Sequence, residues 1–439
     1  MSIDKDIQTI SGQESALLAS QKSQSLGEYI GGYFKRVRSG DLGSIPIVVG
    51  LIIIAIIFQT QNENFITPRN FVNLIAQMAG ITTIAIGVVF VLLLGEIDLS
   101  IGYVSAVAAV AMTLLLRVPG GDPSTWPWYA IFEDGWPWYL AIPAALALTA
   151  VIGLIHGLII TRFQVPSFVV SLAGLLVWNG IVLMMIGNGG TVILQDKLVI
   201  GIANATLPIN IGWAIAVVLV LLYAVSQFVQ LNTRRKSGLS TTPMLIIILR
   251  ILLLAIIAGA VMYVANLNRG LPNGNPLAGF PGVGLVLLAL LVGFSFLATR
   301  TQFGRYVYAV GGNIEAARRA GISVERIRIY VFIISSVMAG MGGIILASRL
   351  RSVDTGAGGG NLLLNSIAAA VIGGTSLFGG SGRVSSALLG ALVISSVENG
   401  MGLLNYSSGR KFVITGLVLL IAVIIDAISR RSRAQSGIA

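Results

Sequence analysis

At 439 residues, 55% of them apolar and only 10% charged, the chain has a mean hydropathy of +0.90. A soluble domain averages about 25% charged residues, so these residues cannot coat a water-soluble core of this size and lipid must be the solvent for most of the chain. The absence of cysteine excludes disulfides and thiolate chemistry, the single His156 excludes most histidine catalysis and zinc binding, and the net charge of +11 suits basic loops on one membrane face better than nucleic acid.

Residues 1–40 are polar and lack the apolar core of a cleavable signal peptide. Leu26, Ile30, Tyr33, Phe34 and Val37 recur at helical spacing beside Lys35, Arg36 and Arg38. The pattern suits a cytoplasmic tail with an amphipathic helix on the membrane surface, against a disordered tail as the alternative. Apolar stretches then follow near 42–60, 71–94, 97–116, 138–160, 166–186, 207–229, 244–266, 280–298, 328–347, 362–378, 384–404 and 412–429. Each is long enough to cross about 30 Å of hydrocarbon as a helix. The expected fold is therefore all-α and polytopic, with about twelve transmembrane helices over a membrane region 41–430 and a short cytoplasmic tail at 431–439.

Charge sets the orientation. An even number of crossings puts both termini on one side, and that side receives seventeen lysines and arginines against eight on the other. Both termini are expected in the cytoplasm of a multi-pass inner-membrane protein. The loop from Arg117 to Pro137 then lies outside. Its Trp126-Pro127-Trp128-Tyr129 and Trp136-Pro137-Trp138-Tyr139 suit interfacial anchoring, and sugar stacking is the alternative.

Two stretches share a form. Thr83-Ile84-Ala85 leads to Gly95-Glu96-Ile97-Asp98 and a small-residue helix. Ser366-Ile367-Ala368 leads to Gly379-Gly380-Ser381-Gly382 and another. The shared form suggests an internal repeat of broken helices, the kind of interruption where transporters place their pathways. Gly95, Glu96, Asp98, Ser100, Gly373, Gly374 and Thr375 are the candidate pathway residues. For Glu96 and Asp98 the competing reading is a turn at the cytoplasmic interface, with Asp98 or Ser100 capping the next helix. His156, Glu398 and Asp426 read as packed, helix-end or interfacial groups. Gly373–Gly382 lacks the Gly-Lys-Ser/Thr ending of a phosphate loop, and no such loop occurs anywhere. ATP hydrolysis, if it drives transport, belongs to another subunit.

The loop Arg300–Arg328 is the most informative segment. Asn313 can cap a helix beginning near Ile314, with Glu315 in its positively polarised first turn. Ala316, Ala317 and Ala320 would present a smooth surface, and Gly321 would end the helix. A short exposed helix of this kind suits docking into a groove of a soluble partner. The spacing Glu315-Ala316-Ala317-x-x-x-Gly321 resembles the EAA coupling motif of ATP-binding-cassette importer permeases. The wider run Gly311-Gly312-Asn313-x-Glu315-Ala316-Ala317-Arg318-x-x-Gly321-Ile322 resembles its form in permeases for ribose, galactose, arabinose and xylose. The Ile-x-Leu-Pro element of the longer consensus is absent near Val331–Ile334. Gly95–Gly102, Val165–Phe168 and Val371–Gly382 are similar to the same family, and the length and Glu96 look closest to xylose permeases, whose extra helices would occupy about 207–299. The resemblance implies a transport subunit rather than an enzyme. It implies a dimer, a cytosolic ATPase that holds the ATP and Mg, a periplasmic or lipid-anchored sugar-binding protein, and a monosaccharide substrate, with no metal or cofactor in this chain. An ion-coupled secondary transporter using Glu96, Asp98 or His156 is the alternative.

Overall fold

The computed structural model describes residues 27, 31, 45–118, 132–187, 190–239, 241–270 and 276–435. The expected N-terminal amphipathic helix, Trp126–Tyr129 and the Asp426 side chain lie outside the described residues. The chain forms two compact units, one from Gly43–Thr206 with Pro281–Arg430, the other containing Leu207–Phe280.

The larger unit begins with α1 (Ile45–Gln61), α2 (Pro68–Leu93), α3 (Ile101–Leu115), α4 (Trp138–Phe163) and α5 (Ser167–Ile186). A three-residue strand, β1 (Thr191–Ile193), and a short helix, α6 (Lys197–Asn204), follow. Local chemistry fixes the ends. Thr67 Oγ1 accepts the Asn70 N–H ahead of Pro68 in the first turn of α2. Asp196 accepts the Val199 N–H at the start of α6. Gln164 takes a left-handed conformation at the end of α4, and Pro166 then sets the start of α5. The smaller unit is a helical hairpin, α7 (Ile209–Lys236) and α8 (Met244–Asn266), in which Gly212 faces the Met262 side chain.

The chain returns to the larger unit with α9 (Gly282–Arg300), α10 (Gln302–Gly312), α11 (Ile314–Arg319) and α12 (Val324–Leu350). Strand β2 (Ser352–Asp354), α13 (Leu362–Ile372), α14 (Ser385–Leu403) and α15 (Ser408–Gln435) complete it. Helix α12 is the centre of this unit and packs on α2, α3 and α4. Its run Gly340-Met341-Gly342-Gly343 makes that possible, because each glycine serves a different neighbour. A methyl at Gly340 would press on Thr149 of α4, one at Gly342 on Ile84 of α2, and one at Gly343 would overlap the Ser105 backbone of α3. Without a hydrophobic drive between helices in lipid, close backbone approach through small residues supplies much of the association. The core between them holds Ile84, Phe90, Ile101, Met112, Ile152, Phe332 and Met338. Thr82 and Thr83 return their hydroxyls to the carbonyls of Met78 and Ala79, so the buried apolar helix carries them without loss.

Each of the twelve expected apolar stretches is occupied by a helix. Among the described residues, eight helices are long and apolar enough to cross a membrane, while α1, α3 and α13 are apolar but shorter. Three details depart from the sequence reading. Strands β1 and β2 pair antiparallel, Val192 opposite Val353, in a chain expected to be all-α. Helix α10 occupies a stretch read as loop, its apolar face carrying the buried Val307 and Val310. The separate helical pair ends at Phe280, so α9 packs with the larger unit on α2, α6 and α10 instead of standing among extra helices extending to 299.

Candidate functional site

The residues of the Arg300–Arg328 loop that resemble the EAA motif fold as their chemistry dictates. Asn313 is extended, its Oδ1 accepts the Ala316 N–H at 2.9 Å, and α11 starts on the next residue. Glu315 sits in the first turn and pairs with Arg318 at 3.0 Å, with Glu325 4.0 Å from the same guanidinium. Both partners of the closer pair are exposed, so it contributes little stability and leaves the charges free to meet another protein. Gly321 closes the helix at φ +80°, where a side chain would be strained. Ala316 and Ala320 are exposed, but Ala317 is 3% exposed, so the smooth surface expected from three alanines is narrower. Ala317 joins the hydrophobic core and its carbonyl accepts the Ile322 N–H, which ties α11 back toward α12.

Gly311 and Gly312 end α10, and Gly311 is held tightly. A methyl on Gly311 would overlap the Leu93 carbonyl at the end of α2 and press on the Gly380 backbone. Gly380 donates its N–H to Leu93 O at 2.9 Å. A methyl on Gly95 would stand 3.3 Å from Phe378 O, and one on Gly379 would stand 2.7 Å from Gly311 O and 3.0 Å from Gly95 N. The two interruptions read from the sequence thus rest on each other and on the last turn of α10. Gly95 and Gly379, at φ +74° and +87°, permit the turns. Tyr308 of α10 donates its hydroxyl to Gly382 O at 2.8 Å. Burial holds that hydroxyl above its ordinary pKa, opposed by Arg383, so it stays a donor.

Non-helical backbone inside a membrane protein needs internal partners. Ser167 and Ser171 of α5 supply them: Ile97 N–H donates to Ser167 Oγ and Ser171 Oγ donates to Ile97 O, each at 3.3 Å. Asp98 is 5% exposed and accepts from Ser100 N–H at 3.0 Å, Ser100 Oγ at 2.6 Å and Ser335 Oγ at 3.2 Å. Ser100 occupies the position just before α3 without a capping bond, while Asp98 binds the Ser100 N–H. Trp178 Nε1–H donates to His156 Nε2 at 3.2 Å, which leaves the ring proton on Nδ1, 3.4 Å from Ser100 Oγ. A directed chain of donors therefore runs from Trp178 through His156 and Ser100 to Asp98. Val88, Val91, Leu92, Ile97, Asp98, Ile367 and Leu377 enclose a cavity of about 50 Å³, room for water and not for a sugar ring.

Glu96 points the other way and pairs with Arg328 of α12 at 2.7 Å, its own side chain only 11% exposed. Gly373 ends α13 where a methyl would overlap the Ser386 backbone of α14, which makes it a packing contact; Gly374 is exposed, and Thr375 is fully buried with its hydroxyl unpartnered. Arg328, Tyr308, Ser335 and Trp178 escaped the sequence reading, because their partners lie far off in the chain. Trp178 alone carried a signal, as an indole donor in a helix with few polar side chains. Among the described residues no three His, Asp or Glu side chains come together as metal ligands.

Residues 70–423 match the family described as branched-chain amino acid transport system / permease component. The xylose transport system permease protein XylH of Escherichia coli (strain K12) is 36% identical over 402 residues, 91% of this chain and 95% of that one. XylH of Haemophilus influenzae (strain ATCC 51907 / DSM 11121 / KW20 / Rd) is 33% identical over 401 residues, 90% and 99% of the two chains. The ribose import permease protein RbsC of Bacillus subtilis (strain 168) is 31% identical over 393 residues, 89% and 95%. No solved structure gave a match. These relatives are named as transport permeases, not as enzymes. With four family-like segments drawn together at one end of a bundle of apolar helices, this chain is a polytopic membrane protein that belongs to the transport-permease family of the xylose and ribose permeases.

Proposed function

We propose that the chain is the membrane-spanning subunit of an ATP-binding-cassette importer that carries a xylose-like monosaccharide across the inner membrane. It crosses about twelve times with both termini in the cytoplasm, and the two helix–break–helix stretches act as a repeat around the pathway. Two copies form the transport unit, each receiving a cytosolic ATPase on α11 and sugar from a binding protein at the opposite face. ATP and Mg stay on the ATPase. The observation that carries this reading is the seat of Gly311: the last turn before α11 is wedged against both broken-helix turns, so a push on α11 reaches them directly. A relay of this kind converts partner movement into pathway movement because packed elements shift between discrete arrangements.

Glu315→Lys puts a cation at the positive end of α11 and removes the Arg318 partner. The variant should fold, lose most co-purification with the ATPase subunit and lose uptake in parallel. Full co-purification with full uptake contradicts docking at α11. A second reading, an ion-coupled secondary sugar transporter, is favoured by one feature, the donor chain from Trp178 through His156 to buried Asp98.

A further inference from the structure

The far end of the larger unit holds chemistry that the coupling junction does not use. Asn70 opens α2 and Leu93 closes it, about 35 Å apart along the helix. Around Asn70 the sequence departs from its apolar habit: residues 59–77 contain seven asparagines and glutamines. Three amides from this end satisfy one another. Asn70 Nδ2 donates to Asn399 Oδ1 at 2.7 Å, and Asn399 Nδ2 returns bonds to Asn70 Oδ1 at 2.9 Å and Gln77 Oε1 at 3.2 Å. Such a closed set is glue between helices α2 and α14.

The neighbouring set is not closed. Glu398, adjacent to Asn399 on α14, accepts from Asn365 Nδ2 of α13, with the Arg349 guanidinium of α12 and the Lys411 ammonium acting on its carboxylate. Asn365 is 2% exposed, yet its Oδ1 has no donor. Asn361 Oδ1, one turn earlier on α13, and Ser395 Oγ, one turn before Glu398 on α14, are likewise buried without partners. A buried acceptor without a donor is destabilising, and a carboxylate in an apolar helix adds to that. Helix association alone does not account for such a cluster, since the amide set beside it achieves that with its bonds complete. The unmet groups are acceptors and a hydroxyl beside the Glu398 carboxylate, and the Arg349 guanidinium donates to Asn73 Oδ1 of α2 at 3.5 Å. A neutral polyhydroxyl ligand fits them, because each of its hydroxyls both donates and accepts.

We propose that Asn365, Glu398 and Arg349 form a receiving site for the hydroxyls of a monosaccharide, at the end of the bundle opposite α11. The placement at the outer mouth, and the choice of a sugar, rest on the permease reading above. The cluster supplies the hydroxyl-selective contacts that no single motif of the sequence provides.

The test is equilibrium binding of radiolabelled xylose to the full-length chain in lipid nanodiscs, for wild type, Asn365→Ala and Glu398→Gln. Glu398→Gln is isosteric and keeps a carbonyl acceptor for Asn365, so it guards against a loss that merely reports unfolding. Each variant should bind about tenfold more weakly or worse, the loss of a hydrogen bond that involves a charged group. Wild-type affinity in both variants overturns the site, as does displacement of the label by leucine but not by unlabelled pentose. ATP-driven uptake by the wild-type complex is measured in parallel. Uptake with unchanged variant binding removes the site alone, whereas absence of any sugar uptake removes the permease reading on which it rests.

Discussion

Gly311→Ala should nearly abolish transport, although it adds one methyl. The methyl would occupy the space of the Leu93 carbonyl and crowd the Gly380 backbone. Overpacking a core costs about 1–3 kcal/mol, and the upper part of that range applies because backbone atoms of two other elements, not flexible side-chain ends, must move. Set against the assembled junction, that is roughly a thirtyfold to hundredfold loss of the competent arrangement. The adjacent Gly312 provides the comparison, since a methyl there meets nothing within 4 Å. Thermal unfolding in detergent should show Gly312→Ala at the wild-type midpoint and Gly311→Ala clearly below it, with uptake by the Gly311 variant near background. Equal midpoints for the two variants would show that the junction is not packed as described.

The second large effect is expected at the Glu96–Arg328 pair. The carboxylate sits beside the first broken-helix turn, and the guanidinium lies in the second turn of α12, just beyond α11. Breaking a fully buried pair costs about 3–5 kcal/mol, because one charge is left without its partner. Arg328 is 28% exposed, which reduces that figure. Arg328→Glu places two carboxylates together and should remove most uptake. The exchange Glu96→Arg with Arg328→Glu should restore a substantial part of it. The coupling between the two positions is expected at about 1–3 kcal/mol in a double-mutant cycle of thermal stability. Strict additivity, with no recovery in the exchanged protein, would reduce the pair to a surface contact.

Much of this bundle was legible in the sequence because its signals are local. The apolar runs fall on helices, eight of them among the described residues long and apolar enough to cross a membrane, and Asn313-x-Glu315 marks where a helix begins. The Asn313 cap, the first-turn Glu315 and the left-handed Gly321 appear where residue chemistry puts them. What was not legible depends on residues distant in the chain. Glu96 meets Arg328, and Asp98 meets Ser335, 237 positions away. Neither partner differs in type from many others in the sequence. Gly311 read only as one residue of the family-like run. Here its value is the missing methyl, which only the neighbouring backbones reveal. The pairing of β1 with β2 joins segments too short to carry an alternating pattern. The cluster at Asn365 and Glu398 left one trace, Glu398 itself, an acid in an apolar run that reads as a helix-end group.

The central claim is that free energy enters through an ATPase docked on α11 and not through protons moving along the Asp98 chain. In the importer, Asp98 need not change its protonation, and asparagine keeps the size and the acceptor that hold Ser100 N–H. The decisive measurement is uptake of labelled xylose into vesicles containing the whole complex, with ATP held constant inside and a protonophore added, for wild type and Asp98→Asn. The importer account predicts concentrative uptake that ignores the protonophore, vanishes without the ATPase subunit and largely survives Asp98→Asn. Uptake that the protonophore collapses and that Asp98→Asn abolishes would contradict it.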